Sequence, residues 1–470
     1  MRALSGGRGT AGRRGPGRSP LDALIMLAGV AVVVAAVTPI VSQWLFNQPD
    51  QRLVDLEVYR EGGLAVLRGA SLYDFLTEPP QLLPFTYPPF AALLAVPFTL
   101  MSWRAAQWTW TVLIYAALAV AVWYAFRDLI RRTGRWAPLT TGVLVAAAAW
   151  LDPDRDQIRF GQVGVFLLAM CLADCCTRSP RWPRGLLVGL ALAIKLVPGV
   201  FLVYFLITGR RDAFVNALAT AVVATLGAFA VLPHDSAGYW FGALLQGGDR
   251  TGSVAGTTNQ AINGIVARII DQGPVRTGVW LVLALVVAYA GFGLARRTTY
   301  TADALAGDRV TGRIGTDHFA GTDHYAGTDH CAAADPASGP GAYTLLLAGV
   351  TITGLLSVLL SPVGWIHHLV WMIPAIGALV GDGRDTRRCL SGLAFWIFFL
   401  FPLPWWGAHL SGTGHPPIAR FWGSLERDSF GLAAIVAVVL LGTWLTNRVT
   451  RRTGREDPSQ RQVEVGTLAT

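Results

Sequence analysis

Apolar runs constrain this chain more than any other feature. They are Leu21–Phe46, Ala105–Phe126, Val143–Trp150, Val163–Cys171, Gly185–Ile207, Ala213–Leu232, Val279–Leu294, Tyr343–Leu360, Val370–Val380, Gly392–Leu403 and Gly431–Leu445. A hydrocarbon core ~30 Å thick takes about 20 helical residues to cross, so these runs amount to roughly eleven to thirteen crossings or partial crossings. Lipid offers the backbone no hydrogen-bond partners, so each run is read as a helix. Composition agrees: 14% of the residues are charged, against ~25% in a soluble domain. The expected fold class is an all-α polytopic membrane protein, and soluble classes are excluded.

The net charge of +9 is not a nucleic-acid signal. Arginine gathers at the ends of apolar runs, where it sets orientation, and Trp103, Trp108, Trp123, Trp405 and Trp406 stand where interfacial anchors stand. If Arg127–Arg135, Arg178–Arg184, Arg210–Arg211, Arg296–Arg297, Arg384–Arg388 and Arg448–Arg455 are all cytoplasmic, the polar stretches 47–87, 152–162, 233–268, 361–368 and 405–428 lie outside. This parity closes only if two apolar stretches do not cross singly. Pro88–Met101 is short for a span, and Gly185–Ile207 is interrupted by Lys195 and Pro198. Both are expected to be partial, cavity-lining helices.

The expected organisation is a disordered basic cytoplasmic tail over 1–20 and an N-terminal transmembrane catalytic module over 21–297 with its outer loop at 47–87. A low-complexity cytoplasmic linker follows over 298–340, then a second transmembrane module over 341–447 and a disordered tail over 448–470. The basic start and first apolar run resemble a signal peptide, but the run is long and lacks a convincing small-residue cleavage site, so a retained anchor is expected. The linker repeats GTDHFA, GTDHYA and GTDHCA between Gly315 and Ala332. His318, His324 and His330 recur with Asp317, Asp323 and Asp329, but a Gly-rich six-residue repeat fixes no ligand geometry, and a tandem expansion is the plainer reading. The five cysteines form no CxxC pattern or disulfide framework. Neither a metal site nor a cofactor is expected.

Chemistry concentrates where acids, aromatics and prolines gather, between Val54 and Phe90. A short juxtamembrane helix broken by glycine, with Gly62–Gly63 and Gly69 to hand, would present Asp55 back toward the membrane, with Glu57 and Tyr59 beside it. A carboxylate against an apolar wall holds its proton more tightly and suits a general base, the alternative being a solvated loop acid. Tyr87, within Phe85–Phe90, stands at a rigid proline corner, able to stack on a sugar or to anchor a helix. Gln162, after Arg159, and Asn259, Gln260 and Arg268 in a later outer loop supply groups that either bind sugar hydroxyls or cap helices. Lys195 inside an apolar stretch costs about 2.5–3.5 kcal/mol on insertion scales, so it should face a cavity or a partner such as a lipid phosphate. In the stretch Ser361–His368, which holds Trp365, adjacent His367 and His368 point about 100° apart, so one can face a site while the other packs.

In order along the chain, DLEVY, the Gly69–Tyr73 spacing, FTYPPF, GQV, the IKLVP break, NQAINGIVAR and SPVGWIHH resemble glycosyltransferase family 87, membrane mannosyltransferases of the GT-C class found in actinobacteria. The resemblance covers about Asp50 to Pro374. It implies a GT-C-like bundle, polyprenyl-phosphate-mannose as donor, a glycolipid or envelope glycan as acceptor and an α-1,2-mannosyl product formed outside the cytoplasmic membrane. The family's early-loop aspartate matches Asp55 and its histidine pair matches His367 and His368. Here GQV continues with Gly164 where the family often has Asn, and the 298–340 insertion is long. A β-linked donor and an α product imply one inverting displacement, with Asp55 as base, His367 or His368 orienting it or steadying the phosphate, and Lys195, Arg268 or Arg159 assisting. Glu57, Tyr59, Tyr87, Gln162, Asn259, Gln260 and Trp365 are the expected sugar and acceptor contacts. A polytopic transporter or lipid flippase is the alternative, since broken helices with an intramembrane Lys also suit transport, though no internal repeat is visible.

Overall fold

The computed structural model describes residues 19–46, 53–244, 252–314 and 340–456. These are overwhelmingly helical. Two isolated β-bridges, Leu76 with Pro84 and Asn259 with Trp365, are present, and no strand occurs among the described residues. Among the same residues 6 helices are long and apolar enough to cross a membrane: Pro20–Leu45, Trp103–Ala125, Arg211–Val231, Pro274–Gly307, Gly341–Leu359 and Ser429–Arg452. The number rises to 8 if each of two bent pairs is one span: Asp152–Phe160 with Gly164–Cys176, bent by 119°, and Thr386–Phe398 with Leu403–Leu410, bent by 53°. Shorter apolar helices, Pro89–Thr99, Val197–Ile207 and Ile366–Val380, make up the remainder. The protein is an all-α, multi-pass membrane protein, and the eleven to thirteen crossings expected from apolar runs resolve into fewer full-length spans plus short or broken ones.

The long helices all run between the same two poles. One pole is basic. There Asp22 meets Arg135 at 3.4 Å, Tyr343 Oη donates to the Tyr124 carbonyl at 2.6 Å, Arg210 pairs with Asp303 at 3.1 Å, and Arg448 pairs with Asp385 at 2.6 Å. At the other pole Trp110 Nε1 donates to Gly161 O at 2.8 Å, Leu72 N–H donates to Asp235, and Arg268 pairs with Asp428 at 2.6 Å. Trp103–Ala125 therefore starts at the second pole and ends at the basic one, about 35 Å away at the ~1.5 Å rise of a helix. Gly341–Leu359 runs the opposite way, from Tyr343 to the turn before Ser361.

Both stretches expected to be partial spans are partial. Leu186–Ile194 leaves the basic pole, where Gly185 packs on Ala213. It ends at Lys195, whose backbone is extended (φ −150°, ψ 135°). Val200–Ile207 then returns, and Ile207 O accepts from Arg296 Nε at 3.1 Å. The result is a re-entrant hairpin with Lys195 near its tip. Pro89–Thr99 stays at the second pole, strapped to the preceding helix by Arg60, which donates to Phe98 O and Met101 O.

That preceding helix, Val54–Arg68, is not broken at Gly62–Gly63 as expected. It runs through both glycines because they admit close neighbours. A Cβ on Gly62 would lie 2.8 Å from Phe85 Cε2, and one on Gly63 would lie 3.0 Å from the Ala95 backbone. The helix stops at Gly69, whose positive φ (64°) suits glycine and lets its N–H reach the Ala65 and Val66 carbonyls.

The centre of the bundle is Gly341–Leu359, wholly buried and apolar on every side, as a helix surrounded by others must be. Pro274–Gly307, only 11% buried, faces outward. Pro20–Leu45 crosses Ala137–Ala149 at Gly29 and Gly142, where the backbones touch so closely that a Cβ on Gly142 would collide with Gly29 O. Pro274–Ile314 continues as helix past Arg297, so the polar stretch read as beginning at 298 starts in helix. The GTDHxA repeats, almost all of the basic tail and residues 457–470 of the C-terminal tail lie outside the described residues.

Candidate active site

At the second pole a cavity of about 590 Å³ is lined by segments far apart in sequence. Asp55 stands in the first turn of Val54–Arg68, half-buried, at its wall. Gln162 reaches it from the bend between Asp152–Phe160 and Gly164–Cys176, where Gly161 (φ 70°) turns the chain. Its Nε2 donates to Asp55 Oδ2 at 2.5 Å, a charge-assisted bond. Burial pushes the Asp55 carboxyl up to about 6, against the lowering effects of the Gln162 amide and the Lys195 charge.

Lys195 faces Asp55's cavity from the tip of the re-entrant hairpin. Its Nζ lies 3.0 Å from His368 Nε2 and 5.1 Å from the centroid of the Tyr87 ring, and it forms no ion pair among the described residues. His368 is fixed from its other side, where Nδ1 accepts the Trp365 N–H at 3.2 Å. Tyr87 also lines the cavity, and its hydroxyl is 2.9 Å from that of Tyr59. Trp365 completes the polar wall, while Leu82, Leu83, Leu196, Val197 and Leu244 make the remainder apolar. A carboxylate that can accept a proton, a cation without a carboxylate partner and an apolar approach thus share one volume.

The structure brings together Asp55, Gln162, Lys195, Tyr87, Trp365 and His368. Other expected site residues stand elsewhere, each for a physical reason. His367 is buried against Phe160 and His368, with ring centroids 5.6 and 4.6 Å away, its Nε2 has no hydrogen-bond partner among the described residues, and it does not line the cavity. Tyr59 is buried behind Asp55, between Tyr87 and Trp110. Glu57 lies off the cavity, where burial and the charges of Glu61 and Glu78 push its carboxyl upward. Arg159 lies over Trp44 and Phe160 and stands 3.8 Å from Asp156.

Arg268, Asn259 and Gln260 hydrogen-bond within their own segment and to elements packed against it. Arg268 pairs with Asp428 and also donates to Gly256 O and Asn259 O at 2.7 and 2.9 Å. Asn259 donates to Val254 O and accepts from the backbone N–H groups of Ala261 and Gly364. Gln260 donates to Thr257 O and Arg427 O and accepts from Gly431 N–H. These residues clamp the 252–268 loop, which runs into the short helix Ile262–Ile269, to the Ser361–Trp365 turn and to the start of the closing helix, Ser429–Arg452. Of the binding and capping readings the sequence left open for them, these internal hydrogen bonds match capping, and none of the three lines the cavity.

Sequence reasoning missed Tyr239, Ser361 and the leucines of the mouth. Tyr239 stacks on Tyr73 at 5.5 Å, and no short-range pattern marks it. Ser361 was legible as the start of the SPVGWIHH stretch. Cys171, Cys175 and Cys176 are buried and unpaired, as packing residues are. Among the described residues, no group of three or more His, Cys, Asp and Glu side chains is placed to hold a metal ion.

Comparison with known proteins supplies the family. A family model described as Glycosyltransferase family 87 matches residues 85–312. A polyprenol-phosphate-mannose-dependent alpha-(1-2)-phosphatidylinositol mannoside mannosyltransferase of Mycobacterium tuberculosis is 32% identical over 92% of this chain and 93% of its own. Its namesake in Mycolicibacterium smegmatis is 33% identical over 84% of each chain. A polyprenol-phosphate-mannose-dependent alpha-(1-2)-phosphatidylinositol pentamannoside mannosyltransferase of the same organism is 31% identical over 86% of this chain and 87% of its own. No solved structure matches. None of these relatives is a transporter, so the alternative reading has no support. The chain belongs to glycosyltransferase family 87.

Proposed function

We propose that this enzyme transfers mannose from a polyprenyl-phosphate donor to a hydroxyl of a phosphatidylinositol mannoside or related envelope glycolipid. The observation that carries the reading is that Asp55 and Lys195, a cation without an ion-pair partner among the described residues, line one partly apolar cavity. The donor's prenyl chain enters past Leu82, Leu83, Leu196, Val197 and Leu244. Its phosphate meets Lys195, with His368 alongside. The acceptor hydroxyl approaches from the Asp55 side. As the C1–O bond to phosphate breaks, the electron pair leaves with polyprenyl phosphate, the acceptor oxygen bonds C1, and its proton passes to Asp55. Positive charge spreads over the ring oxygen and C1 in that transition state, as in glycoside hydrolysis, and attack opposite the leaving group inverts the centre.

The family resemblance and the relatives' names support this donor and an α-1,2 product. We further propose that the cavity opens on the extracytoplasmic side of the cytoplasmic membrane. The gathering of arginine at the opposite pole supports that orientation.

The test is transfer by the purified protein from labelled polyprenyl-phosphate-mannose, with a sugar nucleotide offered in parallel. The expected result is a labelled α-1,2-mannosyl glycolipid from the lipid donor alone. Transfer directly from the sugar nucleotide would overturn the donor assignment.

A further inference from the structure

A second cavity, about 800 Å³, lies at the basic pole, between the start of Thr386–Phe398 and the final turns of the closing helix. Arg384, Arg387, Arg448, Arg451 and Arg452 line it, and Asp385 is the one carboxylate among its lining residues. Asp385 is already committed. It accepts from the backbone N–H groups of Arg387 and Arg388 and takes Arg448 Nε and Nη2 at 2.6 and 2.8 Å. One carboxylate held in this way offsets one arginine, and Asp382 stands 3.7 Å from a second, Arg384. Arg387 and Arg451 form no ion pair among the described residues.

The frame of this cavity is fixed rather than splayed into water. The Asp385–Arg448 fork pins the two helices together. Arg388, behind the cavity, is buried and donates to the Ala378 and Leu379 carbonyls, and Asn447 is held by Arg297 at 3.0 Å. A π-helical turn at Leu441–Leu445 carries Trp444, whose ring forms part of the wall 5.7 Å from the Arg448 guanidinium. Orientation signals alone require only arginines near span ends. They do not require an indole-walled pocket lined by five arginines and one carboxylate.

The position fits a particular anion. The cavity lies at the ends of spanning helices, the depth at which indoles and lipid phosphates meet. Arginine forks match phosphate oxygens in pairs, and basic pockets between spanning helices suit anionic lipid headgroups. The volume is far larger than a single phosphate ion needs.

We propose that the Arg384/Arg387/Arg448/Arg451/Arg452 cavity binds the phosphoryl headgroup of an anionic phospholipid, at a site separate from the catalytic one. The test is native mass spectrometry of the purified full-length protein exchanged with phosphatidylglycerol, cardiolipin or phosphatidylcholine, and in a further arm with inorganic phosphate. Arg387→Gln/Arg451→Gln, which touches exposed side chains, is compared with Arg387→Lys/Arg451→Lys. Anionic lipids are expected to be retained in preference to phosphatidylcholine, with about 30-fold weaker binding in the glutamine variant and most of the binding kept in the lysine variant. Mannosyl transfer by each variant is the check on folding. Equal retention of phosphatidylcholine, or retention unmoved by the glutamine substitutions, would overturn the proposal. Binding of inorganic phosphate without lipid would overturn the headgroup assignment in favour of a free anion.

Discussion

Burial sets how Asp55 titrates, and one amide and one lysine temper it. Burial raises its carboxyl to about 6, while the Gln162 hydrogen bond and the Lys195 charge act against that rise. A base must be deprotonated to work, so kcat/KM for transfer should fall as pH drops through about 6. Gln162→Leu removes a stabiliser of the charged form. The acid limb should then move to higher pH by about one unit, the size of a hydrogen bond to a charged group. A limb that stays in place would remove Asp55 from the role of base. Lys195→Gln acts on the other partner: the donor KM should rise about 30-fold or more, as for truncating one member of a buried charge pair, while the acceptor KM holds. Steady-state kinetics with each substrate varied in turn checks this. Equal changes in both KM values would argue that Lys195 only holds the cavity in shape.

At the scale of elements, the re-entrant hairpin and the 252–268 loop divide the labour. The hairpin was legible because a lysine and a proline within three residues of each other cannot sit quietly in a lipid-facing span. The loop misled because amides and an arginine suited to sugars are equally suited to capping, and composition does not say which. Arg268 separates the two readings experimentally. Arg268→Ala strands Asp428 in a largely buried site and should cost about 3–5 kcal/mol. The thermal transition should fall, while surviving protein keeps its donor KM. Normal stability with a raised donor KM would return Arg268 to the donor site. His367 carries the same lesson. Sequence shows that two adjacent histidines diverge, but only packing against Phe160 decides that His368 is the one at the cavity.

Over the whole molecule, parity of arginine clusters was enough to place the polar loops together. Asp55, Gln162, Lys195 and Trp365 come from distant stretches and line one cavity, and the basic loops collect at the opposite end. The sequence could not show how many helices reach full length, because an apolar run broken at Lys195 has much the same composition as a straight one. Helix proximity is also a property of the whole bundle. Gly142→Leu should force the first and third apolar helices apart at Gly29 and lower the thermal transition, with overpacking costing about 1–3 kcal/mol or more. Sidedness is tested with Cys331 and Cys389 replaced by Ser. An impermeant thiol reagent added to intact cells should label Leu82→Cys and leave Arg387→Cys unlabelled until the cells are opened.

The role of the Asp55 carboxyl is tested most directly by Asp55→Asn, a near-isosteric change that removes the negative charge and with it the capacity to take a proton. With purified protein at matched folded amount, lipid-linked mannose as donor and a phosphatidylinositol mannoside as acceptor, turnover should fall by about 10²–10⁴-fold. Donor binding should change little by comparison. Turnover within a few fold of the unaltered enzyme would contradict the assignment and place the base elsewhere.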